Sequence, residues 1–205
     1  MVMSFYPIFV LTPYNLSAAI ITTRNKLKNR NKMSGQAIKF GTFIVTSQVF
    51  YQSSKSFGLV NLKPLVPGHV LVCPRRVVPR ISGLTADEAA DFYALIQRVS
   101  IMIEKYYKAD ALNIAIQDGA LAGQSVPHVH CHIIPRKLND LPDPDDIYRL
   151  LDGKEGDLDY VFNTIKKHKS SDFFRVDNDS RMPRGIDEME QEARDLAEFM
   201  KRENL

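Results

Sequence analysis

Three histidines at alternate positions are the residues whose type and spacing most clearly suggest chemistry. If His128, His130 and His132 lie on a β-strand, their imidazoles share one face of it, about 7 Å apart. Such a row suits two chemistries, the attack of an imidazole on phosphorus and the binding of a metal ion. A third interpretation is a polar sheet face without a function. The intervening residues would face a core on the other side: Val129, Cys131 and Ile133.

The residues that flank the row indicate what it could bind. Residues 124–126 (Gln-Ser-Val) precede it and residues 136–137 (Arg-Lys) follow it, so N–H groups, a hydroxyl and two cations could meet an anion. The Cys131 thiol would point away from the imidazoles, and the row contains no Asp or Glu to orient a metal ligand. The residues therefore suit an anionic substrate, while the metal-binding and structural interpretations stay open.

The histidines depend on a sheet that the rest of the chain must form. Thr85 and Glu88 form a capping-box pattern at the start of a helix, and apolar residues at helical spacing extend it to about Tyr107. Apolar segments predict strands at 38–46, 48–51, 57–62, 69–73, 112–116 and 128–134. The order of elements predicts an α+β fold with a mostly antiparallel sheet of about five strands, one long helix and a C-terminal helix.

Composition narrows the class of protein. The chain has 205 residues, of which 44% are hydrophobic and 25% charged, as in one globular domain. Residues 1–86 contain eleven Lys and Arg and no Asp or Glu, a charge that would suit an anionic partner. Aromatic residues do not alternate with these cations, so nucleic acid is not the expected partner. Two cysteines are too few for a disulfide framework. The sequence contains no run of 18 apolar residues, so it predicts no membrane-spanning helix.

The chain divides into four predicted parts. Residues 1–36 form an extension that is a disordered leader, a targeting segment or the product of a misassigned start, 37–151 form the catalytic domain, and 152–183 form a flexible loop. A short helix is expected over 145–151. Residues 184–205 contain a helix over 187–202 that packs on the domain through one apolar face: Met189, Ala193, Leu196 and Met200. We expect a cytoplasmic or nuclear protein, with the extension as a route to the mitochondrion.

The motif around the histidines resembles that of a known family. Residues 124–136, Gln-Ser-Val-Pro-His-Val-His-Cys-His-Ile-Ile-Pro-Arg, resemble the histidine-triad (HIT) signature His-φ-His-φ-His-φ-φ, where φ is apolar. Residues 62–74 and 115–124 resemble the fragile-histidine-triad branch, the dinucleoside polyphosphate hydrolases. The resemblance covers about 39–151 and 184–200.

The resemblance implies an activity and roles for the histidines. A HIT-like fold would form a homodimer and hydrolyse diadenosine triphosphate, or a related dinucleoside polyphosphate, to AMP and ADP. His130 would be the nucleophile and would form a covalent nucleotidyl-histidine. His128 and His132 would bind phosphate oxygens and assist the leaving group, and His69 would support the triad by hydrogen bonding. Mg²⁺ or Mn²⁺ would accompany the substrate.

The resemblance also implies substrate contacts and leaves rivals. Asn61 would bind the ribose, and Gln117 would contact the polyphosphate. Four apolar residues would line the base pocket, although packing in an ordinary core explains them equally well: Phe40, Val45, Leu59 and Leu71. The phosphate-binding turn would consist of Gly123, Gln124, Ser125 and Val126. Phe43 stands where close relatives often have a histidine, and the loop 119–123 lacks their Pro-Glu pair. The rivals are a nucleoside phosphoramidase, a dinucleotide-binding sensor and a metal-binding module.

Overall fold

The computed structural model describes residues 37–152 and 184–205. The interpretations of the extension 1–36 and of nearly all of the loop 152–183 lie outside these residues. No helix in the described part of the chain is both long enough and apolar enough to cross a membrane.

The described residues form seven short strands and three α-helices, with three short 3-10 helices between them. A two-stranded hairpin comes first: β1 (Lys39–Phe40) and β2 (Phe43–Ile44). A five-stranded sheet follows: β3 (Val49–Gln52), β4 (Ser56–Val60), β5 (Val70–Pro74), β6 (Ala111–Ala115) and β7 (Cys131–Arg136). Its order is β3-β4-β5-β7-β6, and every neighbouring pair is antiparallel. The predicted α+β fold with an antiparallel sheet is confirmed.

The single strand predicted over 38–46 is wrong, because the chain reverses at Gly41. This glycine has φ +57°, a left-handed conformation that other residues adopt at a cost, and it joins β1 to β2. A Cβ at this position would lie 2.7 Å from Val126 Cγ1. The hairpin therefore lies directly against the segment that leads into the histidines.

The long helix α1 (Ala86–Tyr107) follows the sequence prediction closely. Thr85 Oγ1 accepts from the Glu88 N–H (3.2 Å), and the Glu88 side chain accepts from the Thr85 N–H (2.9 Å), which completes the capping box. Its buried face packs on β4, β5 and β7 and comprises Phe92, Leu95, Ile96, Val99, Met102 and Ile103.

The sheet separates two apolar clusters because alternate residues of each strand point to opposite faces. The helix-side core joins α1 and α3 (Ile186–Arg202) to residues such as Val70 and Val72 of β5. It includes all four residues predicted for the apolar face of α3, and also Val129, Cys131 and Ile133, as predicted. The site-side core contains Leu71 from the same strand and packs beneath the hairpin. The short helix α2 (Asp146–Asp152) packs through Ile147 on Ile134.

The strand predicted over 128–134 begins later than expected. Strand β7 starts at Cys131, so His128 and His130 lie in the segment before it and only His132 lies within it. The N–H of Val129 donates to Val78 O (2.7 Å), which fixes this segment outside the regular ladder. The predicted spacing of about 7 Å is also wrong for the last pair, since the ring centroids of His130 and His132 are 4.9 Å apart.

Candidate active site

The backbone of His128 fixes which nitrogen of His130 is protonated. Nδ1 of His130 lies 2.7 Å from the carbonyl oxygen of His128. A carbonyl oxygen only accepts, so Nδ1 carries the proton and donates. Burial lowers the pKa of His130, so the ring is neutral near pH 7. The lone pair therefore lies on Nε2, which is the form an imidazole nucleophile requires.

A chain of hydrogen bonds gives His132 the opposite arrangement. The Leu65 N–H donates to His69 Nδ1 (3.1 Å), so the proton of the neutral His69 ring lies on Nε2. His69 Nε2 then donates to His132 Nδ1 (2.9 Å), and the proton of His132 is left on its own Nε2. Burial chiefly, and the neighbouring His130 and His69, lower the pKa of His132, which keeps this ring neutral. His132 therefore presents an N–H donor beside the lone pair of His130.

Both Nε2 atoms are buried and have no hydrogen-bond partner among residues 37–152 and 184–205. A buried polar atom without a hydrogen-bond partner lowers the stability of the folded protein. Two such atoms on neighbouring rings therefore indicate a ligand-binding site. The Phe40 ring lies against His130, with the two ring centroids 5.2 Å apart and the two planes nearly perpendicular. A donor and a lone pair on adjacent rings suit one phosphorus centre and one of its oxygens.

The two ring nitrogens of His128 are both used inside the protein. Nε2 donates to Pro74 O (2.8 Å), and Nδ1 accepts from the Gly41 N–H (3.0 Å). Burial is the main reason that the pKa of His128 falls to about 4, so this ring is also neutral. Both ring nitrogens of His128 already have partners, so neither is left for the predicted contact with phosphate. The imidazole instead connects the hairpin to the end of β5.

The residues predicted to contact the ribose and the polyphosphate, Asn61 and Gln117, are both buried. Asn61 follows β4 and is 2% exposed; its Oδ1 accepts from the Lys63 N–H (3.0 Å), and its Nδ2 lies 3.3 Å from His69 Nε2. Gln117 follows β6 and is 7% exposed. Asn61 thus lies beside His69, and its role toward the ribose stays a prediction.

The loop predicted to bind phosphate is closed by the side chain of Gln124. Its Oε1 accepts from the Gly119 N–H (2.9 Å), and its Nε2 donates to Pro79 O (2.9 Å). Gly123 has φ +85° and is exposed, Ser125 is half-buried, and Val126 is buried in the site-side core. Gln124 therefore shapes the turn, and the phosphate contacts predicted for the turn stay predictions.

The four residues assigned to the base pocket all lie in one apolar cluster. Each is at most 2% exposed, and they pack in the site-side core: Phe40, Val45, Leu59 and Leu71. Phe43 packs in the same cluster. Their role toward a base stays a prediction, and their observed role is to pack in the site-side core between the hairpin and the sheet.

The structure reveals contacts that the residue types did not suggest. The N–H groups of Gly41 and Leu65 and the carbonyl oxygen of Pro74 orient the imidazoles. Every residue has a backbone carbonyl, and every residue except proline has an N–H, so residue type does not indicate these contacts. Within the described ranges, no group of three or more His, Cys, Asp or Glu residues is arranged to hold a metal ion.

Comparisons with known proteins show the family of this chain. The model of the HIT domain matches residues 43–139. The bis(5'-nucleosyl)-tetraphosphatase [asymmetrical] of Schizosaccharomyces pombe is 44% identical over 173 residues, which cover 80% of this chain and 94% of the relative. The bifunctional bis(5'-adenosyl)-triphosphatase/adenylylsulfatase of Arabidopsis thaliana is 43% identical over 182 residues, with coverages of 87% and 94%.

Solved structures agree with the sequence relatives. The diadenosine triphosphate hydrolase of Plasmodium falciparum, crystallised with cyclomarin A, superposes with a TM-score of 0.61 at 27% identity, covering 88% of this chain and 95% of that one. The C. elegans NitFhit protein gives a TM-score of 0.57 at 28% identity, covering 89% of this chain and 37% of that one. With two relatives above 40% identity that are almost fully covered, and with its three histidines in the triad spacing, the chain belongs to the HIT domain family.

Proposed function

We propose that this protein is a dinucleoside polyphosphate hydrolase that converts diadenosine triphosphate to AMP and ADP through a nucleotidyl-histidine at His130. The observation that supports this most directly is the pair of buried, unpaired Nε2 atoms on His130 and His132, one with a lone pair and one with a proton. Relatives of nearly the same length are named as hydrolases of this substrate class.

In the first step, the lone pair on His130 Nε2 attacks the α-phosphorus. A P–N bond forms and the P–O bond to the bridging oxygen breaks, so ADP leaves with that bond's electrons. The His130 ring becomes cationic, and its Nδ1–H, which donates to the His128 carbonyl oxygen, is stabilised by that contact. The N–H on His132 Nε2 donates to an oxygen of the phosphoryl group or to the departing oxygen.

In the second step, water attacks the phosphorus of the nucleotidyl-histidine. The P–N bond breaks and its electrons return to His130 Nε2. One proton of the water stays on the new phosphate oxygen, the other passes to solvent, and AMP is released. Dividing one displacement into two steps gives water a good leaving group, because a cationic imidazole departs as a neutral ring. The neutral, single-tautomer form of His130 is thereby restored for the next substrate.

We expect Mg²⁺ or Mn²⁺ to enter as part of the substrate complex. A polyphosphate supplies several oxygen ligands of the kind these cations prefer. The cation would reduce the negative charge that the lone pair of His130 must approach.

The length of the polyphosphate is the finer part of the proposal. One relative is named a tetraphosphatase and another a triphosphatase, at 44% and 43% identity. The chemistry at the α-phosphorus is the same for both, so the products distinguish them: AMP with ADP, or AMP with ATP.

Product analysis by ion-exchange chromatography tests the proposal. Wild type and His130→Asn would be given diadenosine triphosphate, diadenosine tetraphosphate and adenosine phosphoramidate with Mg²⁺. Asn keeps a donor for the His128 carbonyl but has no nucleophilic nitrogen, so we expect kcat to fall at least about 10³-fold without loss of fold.

The products decide among the rivals. Equal amounts of AMP and ADP from the triphosphate would support the hydrolase. Turnover of only the phosphoramidate would indicate a phosphoramidase. Tight dinucleotide binding with no turnover by wild type would contradict the enzyme and favour a sensor.

We also propose a homodimer that joins two sheets at β6. This strand lies at the edge of the sheet, pairs only with β7 among the described strands and exposes half of the Ile114 side chain. An unpaired edge strand is a ready site for pairing with a second copy. Light scattering after size-exclusion chromatography should give twice the chain mass, and Ile114→Lys should shift it to the monomer; a monomeric wild type would contradict the proposal.

A further inference from the structure

A polar network joins the C-terminal helix to the segment that carries His69. Arg184, just before α3, donates from Nε to the Asn61 carbonyl oxygen (3.1 Å) and also contacts it through Nη2. Its backbone N–H donates to Leu62 O (3.1 Å). Arg184 thus binds the first two residues of the segment 61–69, immediately after β4, through its guanidinium at Asn61 and its backbone N–H at Leu62.

The same guanidinium is held by a carboxylate on α3. Arg184 Nη1 lies 2.6 Å from Glu192 Oε2, and the two side chains are only 14% and 15% exposed. Tyr107, at the end of α1, donates its hydroxyl to Glu192 Oε1 (2.7 Å). Burial, with this hydrogen bond, raises the pKa of Tyr107, which keeps the hydroxyl as a donor. The three side chains therefore form one connected, mostly buried unit.

Tyr107 also contacts the other end of the segment. Gly68 has φ +87°, and a Cβ built on it would lie 2.6 Å from Tyr107 Cδ2, so the ring fits against the bare glycine backbone. Gly68 directly precedes His69. The network therefore contacts segment 61–69 at both ends, by hydrogen bonds to the Asn61 carbonyl and by packing against Gly68.

The segment between these two contacts determines the orientation of His69. Within it, the Leu65 N–H donates to His69 Nδ1 and forces the proton of His69 onto Nε2. That proton in turn leaves His132 with its N–H directed away from His69. A displacement of the segment would weaken the Leu65 bond and release both imidazoles to exchange tautomers.

From these contacts we infer that Arg184, Glu192 and Tyr107 are positioning residues, which act through segment 61–69 to hold His69 and His132 in the tautomers the reaction uses. None of the three touches the triad. Their effect on rate rests on the proposed hydrolysis, whereas their effect on the tautomers does not.

The variants are chosen to loosen the network by small steps. Arg184→Lys keeps the charge but loses the fork that binds Asn61 and Glu192 together. Tyr107→Phe keeps the ring against Gly68 and removes only the hydroxyl. Glu190→Gln is the matched control, because Glu190 forms an ion pair with Arg194 on the same helix, at 3.8 Å.

Two measurements are made on each variant: kcat and KM for diadenosine triphosphate, and the imidazole ¹⁵N signals of His69 and His132. For Arg184→Lys we expect kcat to fall about tenfold or more with little change in KM, and the ¹⁵N signals to move toward a mixture of tautomers. Tyr107→Phe should show the same changes more weakly, and Glu190→Gln neither. If Arg184→Lys does not fold, the same two measurements on Tyr107→Phe decide the question.

The outcomes separate this inference from the proposed function. Unchanged ¹⁵N signals and unchanged kcat in folded variants, with only a lower melting temperature, would overturn the inference. Altered tautomers in a protein whose wild type hydrolyses none of the substrates would support the inference and contradict the proposed function.

Discussion

His130 and His132 are neighbouring rings that carry their protons on different nitrogens. The difference comes from what each Nδ1 meets: a carbonyl oxygen for His130 and an N–H for His132. Burial keeps both rings neutral, since desolvation disfavours the charged imidazolium. Environment therefore gives one ring an unprotonated Nε2 with a lone pair and the neighbouring ring an Nε2–H donor.

The occupied nitrogens of His128 lead to a contrast between two variants. His128→Ala leaves the Gly41 N–H and the Pro74 carbonyl unpaired in a buried site, so we expect the free energy of unfolding to fall by about 2–4 kcal/mol. His130→Asn should cost less stability, because Asn can still donate to the His128 carbonyl. Urea denaturation measures both.

Activity completes the contrast between these variants. His128→Ala should keep measurable turnover, while His130→Asn should lose it. If His128→Ala were as stable as wild type and equally inactive as His130→Asn, His128 would contact substrate rather than connect the hairpin to β5.

At the scale of the elements, the hairpin β1–β2 is the part whose geometry the triad depends on. Its turn places the Gly41 N–H on His128 and the Phe40 ring against His130. The hairpin has only two residues in each strand, so its position rests on packing in the site-side core rather than on its own hydrogen bonds.

Gly41→Ala should disturb the hairpin and the triad together. The alanine would adopt φ +57° at a cost, and its Cβ would lie 2.7 Å from Val126 Cγ1, so we expect a loss of about 1–3 kcal/mol in unfolding free energy and a lower kcat. Gly185→Ala is the matched control, because nothing lies within 4 Å of its added Cβ.

A double variant separates the two costs of Gly41→Ala. Adding Val126→Ala removes the overlap but not the backbone strain, so kcat should recover more than expected from the sum of the two changes. Equal stability of Gly41→Ala and Gly185→Ala in urea denaturation would contradict the close packing of hairpin and triad.

For the whole molecule, the buried neutral histidines make stability depend on pH. The pKa of His128 is about 4 in the folded protein against an ordinary value of 6.5. Below 6.5 the unfolded chain takes up a proton that the folded protein refuses, so the stability is fully present above pH 6.5 and is lost as the pH falls toward 4.

We expect the free energy of unfolding to fall by about 2 kcal/mol between pH 7.5 and 5 from His128 alone, with further losses from His130 and His132. Urea denaturation at pH 7.5, 6 and 5 measures the slope, which should be shallower in His130→Asn. The pKa of Glu88 is lowered to about 2, so its contribution to stability is lost only as the pH falls below the ordinary value of 4.5. A stability that does not change between pH 7.5 and 5 would contradict neutral burial of the triad.

Residue types at short spacings were enough to predict the family motif, the capping box of α1, the apolar face of α3 and the alternation that directs Val129, Cys131 and Ile133 to the helix-side core. Local periodicity reveals such features without knowledge of the fold. The hairpin turn at Gly41 and the late start of β7 were missed, because apolar residues on both sides of a turn resemble one continuous strand.

The folded arrangement was needed to show which imidazole nitrogen has a lone pair, which is a donor and which already have a hydrogen-bond partner. The deciding groups for His128 are a carbonyl 54 residues away and an N–H 87 residues away. Every residue except proline has a backbone N–H, and every residue has a carbonyl, so residue types cannot predict which of these groups bind His128. The fold chooses them by bringing distant segments together, and the chemistry of the triad follows from that choice.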